Sequence, residues 1–355
     1  MTLIVLALTR YGPLGSSSRL RMLQYMPALK AAGVIVHTHA IFDDKTLSRR
    51  YERGGYGLAT LVRSFLSRIA CLRKHRNFDL VWVEKEALPW WPLWFEKRLL
   101  AGIPYALDFD DAVFHHYDQH RFKFIRTLFG NRIDGLMAGA SLVICGNDYL
   151  AQRARQAGAV RVEQLPTVID LDRYQHAATL TPKLPRIVWI GSPSTVKYLD
   201  LLKQPLRELS QKVPFVFRVI GGEAQIEGVQ TECLSWSEST EVEQLRDSDI
   251  GVMPLTDTPW ERGKCGYKLI QYMACRLPVV ASPVGINCSI VKPQENGFLA
   301  ITESDWVEHL HALLANRVLR VTLGQQGRKL VEQEYSLQVT APRLVDLLRD
   351  TIRFS

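Results

Sequence analysis

The chain has 355 residues, well above the roughly 150 used as a length prior for one domain, so two domains are expected. Hydrophobic residues make up 47% and charged residues 23%, a balance that excludes a disordered chain. No apolar run approaches the roughly 18 residues needed to cross a bilayer, and the longest candidate, 87–95, sits between Glu86 and Glu96. The net charge of +8 lies wholly in the first half: residues 1–175 hold 24 Lys/Arg against 16 Asp/Glu, and residues 176–355 hold 20 of each. A basic half joined to a neutral half suggests that one lobe meets an anionic partner.

The opening MTLIVLAL lacks a basic leader and a small-residue cleavage site, and Arg10 cuts the run short, so it reads as a buried first strand over 3–8. Further strands are expected over 34–40, 80–83, 105–108 and 142–145, then over 186–190, 215–220, 250–253 and 279–281. These runs are short, rich in Val and Ile, and separated by helix-length stretches, the pattern of βαβ units and parallel sheets. Both halves show it, so two doubly wound α/β domains are expected: 1–178, 179–336, and a C-terminal helix over 337–355 returning toward the first. The boundary is placed within 175–184, where HAATLTPKLP lacks periodicity and precedes a fresh strand. Six cysteines without a CxxC pair suit reduced thiols in a cytoplasmic protein and argue against a zinc site.

Residues 58–72 place Leu58, Leu61, Val62, Phe65, Leu66, Ile69 and Leu72 at helical spacing, with Arg63, Arg68, Arg73, Lys74 and Arg76 off or beyond that face. This is either an ordinary domain helix with solvated arginines or a surface that touches anionic lipid. Trp90, Trp91, Trp94 and Phe95, followed by Lys97 and Arg98, suit an aromatic anchor or core equally.

The most informative stretch is 260–287, WERGKCGYKLIQYMACRLPVVASPVGIN. Gly263 and Gly266 make a loop, residues 267–275 a helix, and 278–281 a buried strand. A glycine loop feeding a helix leaves backbone N–H groups free to bind an anion, and Lys264 and Lys268 flank it. The plain alternative is a βα turn with exposed lysines. A second constellation, Asp108, Asp110 and Asp111, follows a strand, so its carboxylates lie at the carboxyl edge of a sheet, where open α/β sheets hold ligands. Acceptor binding or general-base assistance, helix capping, and a metal-binding DxD are the readings weighed, in that order. His115 and His116 on the same loop, and Asn147 after the next strand, are secondary acceptor candidates.

The segment LIQYMACRLPVVAS resembles the donor-binding motif of the retaining family-4 glycosyltransferases, which have the GT-B architecture. That motif carries two glutamates separated by seven residues; here the second position is Gln271 and the first falls on Gly263, with Glu261 as a candidate replacement. Gln271 keeps a group that both donates and accepts toward ribose hydroxyls. The resemblance extends to LPTVIDLDRY, to RIVWIGSPSTVKYLDLL, where Ser192 follows Gly191 in place of an arginine and Lys197 matches a lysine, and to SDIGVMPL and EYSLQVTAPRL. It includes GPLGSSSRLR, whose Gly15 and Ser16 correspond to the glycine-rich turn facing the donor phosphates. With Tyr267 and Leu269 these residues form the expected donor set.

The resemblance implies two Rossmann-like domains facing across a cleft and transfer of a sugar from a nucleotide donor to a saccharide or lipid-linked acceptor with retention. It implies no cofactor and no metal, Lys264 and Lys268 taking the catalytic charge role beside Asp110 and Asp111. A cytoplasmic protein, peripheral on an anionic membrane and active in polysaccharide or glycolipid assembly, is expected, with no nucleic-acid partner. The rival readings are a nucleotide-sugar epimerase or phosphorylase of the same architecture, and a degenerate scaffold subunit. Donor base, sugar, linkage and oligomeric state are not legible.

Overall fold

The computed structural model describes residues 2–175 and 184–353. The chain divides into two compact units: residues 1–167 with 263–265 and 340–355, and residues 168–262 with 266–339. The expected boundary at 178/179 lies outside the described residues.

The first unit is built on a six-stranded parallel sheet in the order β2-β1-β3-β4-β5-β6. Its strands are β1 (Leu3–Tyr11), β2 (Val34–Phe42), β3 (Leu80–Glu84), β4 (Tyr105–Phe109), β5 (Leu142–Cys145) and β6 (Val162–Gln164). The central strands are apolar on both faces because helices cover both: Val5, Val81, Trp82, Val83 and Leu107 are fully buried. Register sets Val5 beside both Val36 and Leu80, so the apolar runs of β1, β2 and β3 coincide. The helix Leu337–Arg353 closes this unit. Tyr25 Oη and Thr340 Oγ1 are hydrogen-bonded at 2.9 Å, and Arg349 donates to the Ala32 carbonyl.

The second unit repeats the plan with the order β12-β11-β10-β7-β8-β9. The strands are β7 (Arg186–Ile190), β8 (Val216–Ile220), β9 (Thr231–Leu234), β10 (Ile250–Met253), β11 (Val279–Ala281) and β12 (Gly297–Leu299). Trp189, Phe217, Leu206, Leu310 and Trp306 meet in its core. Truncating a buried aromatic of this kind costs about 3–5 kcal/mol.

All nine expected strands are present. The three additional ones, β6, β9 and β12, have three or four residues each and stand at sheet edges; polar residues interrupt the apolar signal in β6 and β9, and β12 offers only two apolar side chains. The helix Leu58–Leu72 forms as its spacing predicts, but its orientation corrects the expectation. Arg68 is buried beside Ile69 and Leu72, donating to the Thr9 and His39 carbonyls, while Leu58, Val62 and Leu66 face outward. No helix is long and apolar enough to cross a membrane among the described residues.

Candidate active site

In a doubly wound sheet, ligands gather at the carboxyl ends of the two strands where the winding reverses. In the first unit those strands are β1 and β3, and in the second they are β7 and β10. Both pairs carry the candidate residues, or their neighbours, on the loops that follow.

In the first unit, β1 ends in the turn Gly12–Gly15, closed by Gly15 N–H donating to the Gly12 carbonyl at 3.0 Å. Gly15 caps a short helix, Ser16–Arg21, which holds the neighbouring strand ends. Ser18 Oγ donates to Glu84 Oε2 at 2.6 Å, and Arg21 Nε donates to Asp108 Oδ1 at 2.7 Å. Ser16 itself is exposed.

Lys85 sits directly after β3, and the sequence reading missed it. Its backbone has φ +63°, a left-handed conformation that costs a side-chain-bearing residue on the order of 1 kcal/mol. The Lys85 N–H donates to the Asp108 carbonyl at 2.9 Å, and its buried ammonium lies 2.8 Å from Asp110 Oδ1 and 3.6 Å from Asp111 Oδ2. Ser17 Oγ accepts from the same Nζ at 3.1 Å. Burial pulls the ammonium pKa down, but Asp110, Asp111 and Glu84 together raise it, so Lys85 is fully charged.

The three aspartates therefore occupy different environments. Burial outweighs the Arg21 guanidinium and pushes the Asp108 carboxyl up to about 6. Burial also acts on Asp110, but Lys85, Ser17 and Arg21 outweigh it and hold the carboxyl below its ordinary value. At Asp111 burial prevails, aided by the charge of Asp110, and the carboxyl is raised against the pull of Lys85 and Lys264. Asp111 is the most open of the three.

Gly263, Lys264 and Cys265 pack as part of this unit. Lys264 Nζ lies 3.9 Å from Asp111 Oδ1, and Cys265 Sγ donates to the Asp110 carbonyl at 3.2 Å. A Cβ at Gly263 would fall 2.5 Å from Ala112 Cβ and 2.7 Å from its backbone nitrogen, so glycine is required by close approach. That is the physical reason no glutamate stands there.

Asn147 caps a helix through its Oδ1, which accepts from Leu150 N–H, and its Nδ2 donates to the Lys264 carbonyl, each at 2.9 Å. His115 is held between Asp118 Oδ1 and Tyr149 Oη, both at 2.8 Å. His116 is open to solvent at one side. Burial of its ring, then Arg10, Lys85 and His115, lower its pKa to about 4, leaving a neutral imidazole.

In the second unit, β7 ends at Gly191 and β8 at Gly221–Gly222, and all three lie close against neighbours. A Cβ at Gly191 would meet the Trp189 ring at 2.3 Å, and one at Gly222 would meet Val196 at 2.4 Å. Ser192 N–H donates to Thr195 Oγ1 at 3.0 Å, opening the 3-10 helix Pro193–Leu202. Lys197 Nζ lies 5.1 Å from the Tyr198 ring centre. Tyr198 and Thr258 both donate to the buried Glu261, so that carboxylate is clamped by two hydroxyls.

After β10 the chain reaches Gly266, at φ +65°, which starts the helix Tyr267–Ala274. The first N–H groups of a helix have no intrahelical acceptors and carry partial positive charge. Lys268, in the first turn, stacks its ammonium 4.5 Å over the Trp189 ring. Leu269 and Gln271 turn inward. Leu269 is fully buried, and Gln271 donates to Tyr174 Oη at 3.4 Å.

Gly191, Ser192, Lys197, Gly266, Tyr267 and Lys268 thus stand on the turns and first helical turns that follow β7 and β10, with Glu261 hydrogen-bonded to Tyr198. Gly15, Ser16, Gly263 and Lys264 belong to the first unit with Asp108, Asp110, Asp111, His115, His116 and Asn147. The two lysines read as flanking one loop, Lys264 and Lys268, are divided between the units. Among the described residues no group of three or more His, Cys, Asp and Glu is placed to hold a metal ion.

Residues 184–316 match the family model of glycosyl transferases group 1. No curated protein matches the chain. Among solved structures, sucrose-phosphate synthase from Thermosynechococcus elongatus is 16% identical over 99% of this chain and 100% of its own, with TM-score 0.72. A glycosyltransferase from Rickettsia africae is 12% identical over the whole of both chains, with TM-score 0.72. Anabaena HepE in complex with UDP is 14% identical over 98% of this chain and 100% of its own, with TM-score 0.71. These likenesses establish the GT-B fold. The family match over most of the second unit, together with that fold, supports a group-1 glycosyltransferase.

Proposed function

We propose that the protein transfers a sugar from a nucleoside diphosphate donor to a saccharide or lipid-linked acceptor, with the anomeric configuration retained. The observation that carries this reading is the meeting of Gly191, the N-terminus of helix Tyr267–Ala274 and Lys268 at the point where the second sheet reverses. Anabaena HepE, similar in fold, has been solved with UDP and with UDP-glucose, which supports a nucleotide sugar as donor here. Breaking the sugar–phosphate bond builds negative charge on the leaving diphosphate. The helix N-terminus, Lys268 and Lys197 stabilise that charge, a role divalent metals fill in other enzymes.

The acidic cluster receives the acceptor. Asp111, more open than Asp110 and raised in pKa, accepts a hydrogen bond from the incoming hydroxyl, and neutral His116 offers a second polar contact. A donor phosphate oxygen takes the proton as the hydroxyl attacks the face that the leaving group vacates. Glu261 is the candidate sugar contact that stands nearest the missing first motif glutamate. The membrane-linked acceptor rests on the basic first half and places the protein peripherally at a membrane in cell-surface polysaccharide or glycolipid assembly.

The test is product analysis by NMR with nucleotide sugar and simple saccharide acceptors, with and without EDTA. An α-linked product from an α-linked donor, insensitive to EDTA, is expected. Inversion overturns the mechanism, and conversion of donor to a different sugar nucleotide without acceptor points to an epimerase.

A further inference from the structure

The first unit carries an apolar surface that its own packing leaves uncovered. On the helix Leu58–Leu72 the residues Leu58, Val62 and Leu66, each four apart, form one stripe with exposures of 78%, 50% and 62%. The short helix Lys123–Phe129 buries none of its side chains, and Phe124 and Leu128 stand 66% and 69% exposed. Trp94, at 67%, lies between these helices along the chain.

Ring contacts connect the parts. Phe65 meets Trp91 at 5.9 Å, and Trp91 stacks on Phe95 at 5.0 Å, which in turn touches Trp94. Trp90, next along the chain, packs against His120 at 5.9 Å and Phe129 at 6.3 Å, and His120 leads to Phe122 and Phe124. Two strings of ring contacts, meeting at the adjacent residues Trp90 and Trp91, therefore run toward the two exposed helices. Contiguous exposed apolar patches of this kind mark interaction sites.

The exposed charge on these three segments is of one sign. Residues 54–78 and 119–133 contain no Asp or Glu, and within 87–100 the one acidic residue, Glu96, is buried against Arg132. Arg63, Arg73, Lys74 and Arg76 are exposed beside the first helix, and Arg121, Lys123 and Arg126 are exposed around the second. An apolar face with outward tryptophans, on segments whose exposed charges are all cationic, matches an anionic bilayer, whose headgroups meet those cations while the side chains enter the interface.

We propose that this surface, built from helix Leu58–Leu72, Trp90–Trp94 and helix Lys123–Phe129, docks the protein on anionic lipid. The proposal deepens the membrane part of the functional reading but needs no turnover, so the two fail separately. It also explains why Phe124 and Leu128 are held in water by a helix with no core of its own.

The test is co-sedimentation of the full chain with vesicles of phosphatidylglycerol and phosphatidylcholine, or of phosphatidylcholine alone, at low and high salt. Binding to the anionic vesicles that falls with salt is expected. Each basic group removed should weaken partitioning roughly fivefold, so Arg63→Gln with Arg73→Gln and Lys74→Gln should lose on the order of a hundredfold. Leu66→Gln with Phe124→Gln and Leu128→Gln should abolish insertion while transfer to a soluble acceptor stays unchanged. Absence of binding to anionic vesicles overturns the proposal, as does equal binding to neutral ones. A wild-type dimer that the apolar variant dissociates, without lipid binding, overturns it in favour of self-association.

Discussion

Replacing Lys85 with methionine removes the shared cation of Asp110 and Asp111 and leaves two carboxylates facing each other in a mostly buried site. Breaking a buried pair from one side costs about 3–5 kcal/mol, and the partial exposure of Asp111 places the expectation near the lower end, about 3 kcal/mol at pH 7. The pH dependence carries the diagnosis. In the wild type Asp110 has a depressed folded pKa, so its stabilisation is present above the unfolded value of 3.8 and is lost as pH falls through the folded one. Without Lys85 burial dominates, both folded pKa values rise above 3.8, and stability is lost as pH rises through them.

The gap between wild type and Lys85→Met should therefore be widest at pH 7 and shrink toward pH 4, measured by urea unfolding across that window. Lys85→Gly removes the same charge but relieves the left-handed backbone, so it should be about 1 kcal/mol less harmful than the methionine variant. A loss that is the same at pH 4 and 7, or below about 1 kcal/mol, refutes Lys85 as the counter-charge of the cluster.

Two further outcomes follow from close packing and burial. Gly263→Ala should lose about 1–3 kcal/mol in urea unfolding, because its new Cβ would press on Ala112 Cβ and the Ala112 backbone; an unchanged midpoint contradicts the close approach. Under native conditions a thiol reagent should titrate Cys233 and Cys288 rapidly and Cys71 slowly. Cys145 and Cys275, pushed up to about 12 by burial, and the equally buried Cys265 should react only on unfolding. Labelling of Cys145, Cys265 or Cys275 without unfolding is the contrary result.

Much of the architecture is readable from the chain because parallel sheets covered on both sides demand unbroken apolar strands, and VWVE, LVIC and IVWIG announce themselves. The edge strands VEQ, TECL and GFL do not, since an edge needs little apolar surface. The site divides the same way. Gly191, Gly266 and Lys268 are legible because glycine turns and helix starts are local. Lys85 is not, because its meaning comes from partners 25 and 26 positions away and from a backbone angle that no side-chain pattern encodes. A signal was present: a lysine between two glutamates directly after a short apolar strand, at the sheet edge where ligands collect. Arg68 misled in the opposite sense, since helical periodicity identifies an apolar stripe but not which side of the helix the protein covers.

The central claim is that the second unit holds a nucleoside diphosphate sugar through the helix N-terminus at Gly266 and through Lys268. The most direct measurement is equilibrium binding and thermal stabilisation of the wild type and Lys268→Met by UDP, GDP, ADP, CMP and their sugar conjugates, with and without EDTA. At 100 times its dissociation constant the cognate ligand should add about 2.7 kcal/mol of stability. The account predicts one selective diphosphate, unaffected by EDTA and bound roughly tenfold or more weakly by the variant, as expected for loss of a charge-assisted contact. Failure of every nucleotide to bind the wild type, or tight binding that ignores Lys268, would contradict it.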